Sequence, residues 1–123
     1  MPLIQVDRYM LSIYRSVGGS GTVPRTLKVI RMMPSPGSAA AGITYVEFLY
    51  PSPAPAVVGE APDTRVFGFF PPAEFDVHRL MLQAESPIEV EWIPDDANPP
   101  ALTRVTLRTS PEPVGEGPRD STP

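Results

Sequence analysis

His78 is the only histidine in the chain, and Glu74 stands four residues before it. On a helix that spacing stacks the two side chains one turn apart. A carboxylate–imidazole pair so placed can act as a general base or offer two ligands to a metal. Arg79 adds a neighbouring cation. The rest of a catalytic or metal set is missing: a metal takes three or four ligands, and no HExxH pattern or cysteine supplies them. His78 is therefore expected to be an exposed helix residue in weak contact with Glu74. Glu74, His78 and Arg79 are kept as polar-site candidates.

Glu89 and Glu91 lie two apart, so on a strand they project from one face about 6–7 Å apart. That is near the separation of paired glycosidase carboxylates, which face each other across a cleft. Two glutamates alternating with Ile88, Val90 and Trp92 instead describe the solvated face of a half-exposed strand. Asp95-Asp96-Ala97-Asn98 offers oxygen ligands without the spacing of a calcium loop and reads as a turn. Gly18-Gly19-Ser20-Gly21 lacks the GK[ST] that completes a phosphate loop, and no G-x-S-x-G occurs. No catalytic residue, metal or cofactor is expected.

The chain has 123 residues, ten basic and fourteen acidic side chains and a net charge of −4. The bases, nine arginines and Lys28, run from Arg8 to Arg119 with acids interleaved, so nucleic acid is not an expected partner. No run of eighteen apolar residues occurs, and membrane insertion is not expected. The N-terminus MPLIQVDRYM meets Asp7 and Arg8 before an apolar run develops, unlike a signal peptide. With no signal peptide, no transmembrane segment and no cysteine, the expected location is cytoplasmic, with a virion or assembly component as the alternative.

Eighteen prolines punctuate the chain and mark its candidate elements, because proline neither donates to a sheet ladder nor fits inside a helix. Residues 27–33, 43–50 and 65–70 are rich in β-branched and aromatic side chains and read as strands. Residues 43–50 are apolar on both sides, so that strand is either central in a two-sided core or covered by a partner. Residues 3–17 fit a heptad pattern as well as alternation. The strand reading is preferred, because Gly18–Gly21 then serves as the loop of a hairpin into the next strand. Residues 51–62, with three prolines near their start, should be an extended surface loop. Residues 88–92 and 101–110 are too close for a parallel crossover and should pair antiparallel, with Glu89, Glu91, Arg104 and Arg108 on the outer face.

One helix is expected over 72–85, entered by Pro71-Pro72, with Glu74 and Asp76 at the positive end of its dipole. Ala73, Val77, Leu80, Met81 and Ala84 form its expected buried stripe, broadened by Phe75 and Leu82. The fold class is thus α+β, predominantly β: a mainly antiparallel sheet of about six strands with the helix on one face. Residues 1–110 make one domain, and 111–123 an acidic, Pro/Gly-rich tail that contributes almost nothing to the fold. The expected function is a non-enzymatic protein–protein interaction or structural subunit, with a protein partner or a homo-oligomer. Tyr45, Phe48, Tyr50, Phe67 and Phe69 are its candidate surface. The alternative is a small-molecule-binding domain or small enzyme, with a pocket between helix 72–85 and the sheet.

Overall fold

The computed structural model describes residues 2–17, 24–37, 42–85 and 87–109. The tail and the Gly18–Gly21 loop, both given roles from sequence, lie outside the described residues. In chain order the elements are β1 (Leu3–Val17), β2 (Pro24–Pro34), β3 (Tyr45–Tyr50), β4 (Gly59–Glu60), β5 (Arg65–Phe69), α1 (Glu74–Ala84), β6 (Ile88–Pro94) and β7 (Ala101–Thr109). The strands close into a barrel in the order β1-β2-β3-β5-β4-β7-β6. The fold is α+β and mainly β, with seven strands among the described residues and a single helix. Residues 3–17 are a strand, paired antiparallel with β2 from Val17 opposite Pro24 to Val6 opposite Pro34, with a register shift between Val6 and Arg8. All pairings are antiparallel except β3 with β5.

That parallel pair needs a crossover, which residues 51–64 supply. Sequence reading makes residues 51–62 a surface loop, yet Gly59 and Glu60 pair with Gly68 and Phe67 of β5 and with Leu102 and Ala101 of β7. This two-residue strand closes the barrel. A Cβ on Gly59 would run into the Phe67 carbonyl and the Val105 side chain, so only glycine permits so close an approach.

Inward-facing Ile4, Ile30, Met32, Val46, Phe48, Tyr50, Val66, Val90 and Trp92 fill the barrel. Helix α1 packs at the end where β3 and β5 finish and β6 begins. It presents Phe75, His78 and Leu82, the three buried residues of the helix. The expected stripe is corrected here: Val77 and Leu80 are 57% and 53% exposed. Two apolar stripes compete on this helix, and aromatic neighbours decide between them. Tyr50 meets Phe75 edge-on at 5.2 Å, and Phe70 meets His78 edge-on at 4.7 Å. Pro71 and Pro72 accept the first two helical N–H groups, and the Glu85 N–H donates to the Met81 carbonyl at the other end.

Candidate interaction surface

β1 is far longer than the barrel requires. Its pairing with β6 stops at Gln5 opposite Glu89, and the pairing of β2 with β3 stops at Lys28 opposite Tyr50. Beyond those points, among the described residues, the two strands pair only with each other, and they leave the barrel as a two-stranded ribbon. Fifteen residues at about 3.3 Å per residue make β1 about 50 Å long. The register assigns the ribbon's faces. Tyr9, Leu11, Ile13 and Arg15 share a side with Lys28, Ile30 and Met32 and continue the barrel interior. Met10, Ser12 and Tyr14 share the other with Leu27, Val29 and Arg31 and continue its outside.

Over residues 10–16 of β1, the alternation that fills the core elsewhere meets no core. Met10, Leu11, Ile13 and Tyr14 are all exposed, Ile13 by 64% and Tyr14 by 54%. A long apolar edge with unpaired backbone groups is what most β proteins avoid. Charge gathers here too: residues 3–34 hold five of the ten basic side chains and one of the fourteen acidic ones. Arg8 meets Asp7 at 3.6 Å and Arg31 meets Glu47 at 2.7 Å. Arg15 donates to the Thr26 hydroxyl, and the Lys28 ammonium stands 5.1 Å over the Phe75 ring. Among the described residues, Arg15, Arg25 and Lys28 form no salt bridge.

The outer face of the ribbon runs on across the barrel in cross-strand rows. Met10 stands opposite Arg31, then Glu47, then Phe67; Ser12 opposite Val29, then Leu49, then Phe69. Tyr45 and Phe67 form an edge-on pair at 6.4 Å, with the Arg31 guanidinium 4.3 Å over Tyr45 and that of Arg65 5.6 Å over Phe67. Tyr45, Phe67 and Phe69 are therefore half-buried and outward-facing. Phe48 and Tyr50, proposed from sequence for the same surface, are corrected: both are buried in the core, because β3 turns its even-numbered residues inward.

The polar candidates are dispersed. His78 is not exposed but 8% accessible, and its Nδ1 lies 2.8 Å from the Tyr50 hydroxyl. Burial pushes its imidazole below the usual range, and burial with the nearby Glu74 charge pushes the Tyr50 phenol far up. Both groups are held neutral among Phe48, Phe70 and Phe75. Glu74 is exposed, while Arg79 pairs with Asp76 at 3.4 Å and reaches Gln83 at 3.3 Å along the helix surface. Glu89 and Glu91 are also corrected: β6 is buried on both faces. Arg108 lies across both carboxylates, at 3.2 Å from Glu89 and 3.4 Å from Glu91, while Arg104 stands apart opposite Ile93. They form a shared ion cluster flanked by β1 and β7, where sequence suggested solvated pairs. Asp95 accepts from the Ala97 N–H and the Asn98 amide, which closes its turn.

A cavity of about 220 Å³ lies between β1 and the C-terminal end of the helix, lined by Val6, Asp7, Tyr9, Leu82, Gln83, Glu85 and Ile88. None of the polar-site candidates lines it. Among the described residues no helix is long and apolar enough to cross a membrane. Reading from sequence missed the ribbon. The available signal was length: fifteen strand residues in β1 against six in β3 leave an overhang for any barrel that contains both. No protein-family model, curated protein or solved structure matches the chain.

Proposed function

We propose that this chain is a non-enzymatic interaction subunit that engages a protein partner or further copies of itself through the β1–β2 ribbon and the outer rows ending at Phe67 and Phe69. One observation carries the reading: Met10, Leu11, Ile13 and Tyr14 are exposed together on a strand whose outer edge, beyond Gln5, pairs with no other strand among the described residues. Leaving that much apolar surface in water forgoes about 25 cal/mol for every Å² that a partner would cover. Residues 10–16 and 25–27 contribute no side chain to the core, so this part of the ribbon adds little to the stability of the barrel.

Native mass spectrometry at micromolar concentration, paired with binding of a hydrophobic dye, tests this. The expected result is either an oligomer or a monomer that binds the dye. An Ile13→Asp, Tyr14→Ser variant should lose that property without losing thermal stability. A wild-type monomer that binds no dye would overturn the reading. The cavity beneath the helix supports a second reading, a small-molecule site, because it lies between helix and strand as such a pocket would. Its volume is about 220 Å³, below the roughly 300 Å³ at which ligand pockets begin.

A further inference from the structure

We infer that the open edge of β1, over residues 9–16, takes up an extended acidic segment of a partner protein as an added antiparallel or parallel strand. The inference rests on the interaction reading above and names the chemistry of the partner. Three features of the edge converge on it. First, beyond Gln5 the strand is paired on one side only, so alternate N–H and C=O groups point away from β2 with no partner strand among the described residues. A polypeptide backbone is the polymer that matches that array, and strand addition is a common way for one protein to bind another.

Second, the side chains beside that edge alternate so that an added strand gains apolar contact on both faces. Leu11 and Ile13 lie on one side and Met10 and Tyr14 on the other. Third, Arg15, Arg25 and Lys28 have no carboxylate partner among the described residues, and Asp7 is the single acid in β1 and β2. The wider chain has the opposite balance, with thirteen of its fourteen acids outside residues 3–34. Within residues 9–16 the one charge is Arg15, and Arg25 and Lys28 add positive charge from the neighbouring strand β2.

These features separate the candidate occupants. A second copy pairing β1 against β1 would bring two basic ribbons side by side. Like charges on edge strands are a known deterrent to such pairing. A nucleic acid would answer the arginines but would gain nothing from Ile13 or Leu11, and it would meet an acidic body beyond the ribbon. An acidic strand with apolar residues at alternate positions satisfies the backbone, the apolar side chains and the charge together.

The test uses the full chain and a pool of peptides about twelve residues long, acidic at alternate positions and Val, Ile or Phe at the rest. A matched pool with lysine in place of the acids, a duplex DNA and the chain alone are run beside it. The acidic pool should bind in fluorescence anisotropy, with affinity falling as salt rises. Arg15→Glu should weaken it about tenfold or more, as should Ile13→Asp. Hydrogen exchange should show new protection over residues 9–16 and nowhere on β7. Equal binding of the lysine pool would overturn the acidic assignment and leave the interaction reading intact. Binding of DNA in place of peptide would do the same for a protein partner, and a dimer of the chain alone that Ile13→Asp dissolves would assign the edge to a second copy. If no peptide binds up to millimolar concentration, the chain is a monomer and the ribbon takes up no dye, both readings fail.

Discussion

His78 and Tyr50 show what burial does to a group that looks available in the sequence. The imidazole is held below its usual range by loss of water, and the folded chain keeps it neutral. An unfolded chain binds that proton near pH 6.5. Between that value and the lower folded one, the unfolded state takes up the proton more readily, so stability is complete above about pH 6.5 and lost on acidification. Thermal melts should therefore show a falling Tm as pH drops from 7.5 to 5.5, and His78→Gln should flatten this part of the profile. A profile identical in the variant would show that the imidazole is not the group responsible. Tyr50 acts with the opposite sign. Burial raises its phenol, so its contribution is intact below about pH 10 and declines in stronger base.

At the scale of the element, helix α1 carries two apolar stripes, and the barrel mouth selects one. Phe75, His78 and Leu82 follow i, i+3 and i+7 spacing, and Phe75 and His78 meet the rings of Tyr50 and Phe70 at the ends of β3 and β5. Leu82→Ala removes a buried side chain and should cost about 2–4 kcal/mol. Leu80→Ala, on a half-exposed residue of the other stripe, should stay within about 0.5 kcal/mol. Denaturant titration of the two variants decides this, and equal costs would mean that the helix sits rotated. β6 carries the same lesson. Its alternation places Ile88, Val90 and Trp92 inside as expected, but flanking strands and Arg108 also bury the glutamates on the far side.

For the whole molecule, the barrel and the ribbon should be energetically separate. Core side chains lie in the barrel and beneath the helix, while residues 10–16 and 25–27 contribute none of them. Replacing residues 14–27 with a two-residue Asn-Gly turn should leave Tm within a few degrees of the parent, because a hairpin overhang adds little buried area. The shortened protein keeps Met10, Leu11 and Ile13 but loses Tyr14, so its dye binding or oligomerisation, whichever the parent shows, should weaken. A drop in Tm of ten degrees or more would show that the ribbon supports the barrel and would weaken its assignment as a docking element.

Local signals in the sequence determined the identity of most elements. Prolines 34, 51, 71, 72, 87, 94, 99 and 100 mark the boundaries of strands and helix within two residues, because a missing N–H and a fixed φ act on the backbone regardless of context. β-branched and aromatic runs marked β2, β3 and β5, and the short link from β6 to β7 forced them antiparallel. Tertiary structure alone decided what those elements face. Gly59 and Glu60 become a strand only because β5 and β7 stand on either side of them. Phe48, Tyr50, His78, Glu89 and Glu91 are buried by neighbours that lie from two residues to several elements away in sequence, and no local pattern specifies that company. The ribbon is the converse: its residues have the alternation of a core strand, and they are exposed because β3 and β6 end before β1 and β2 do. Secondary structure follows from sterics within a few residues, whereas burial depends on which distant surfaces meet. For this chain the candidate site lies where the described residues provide no such surface.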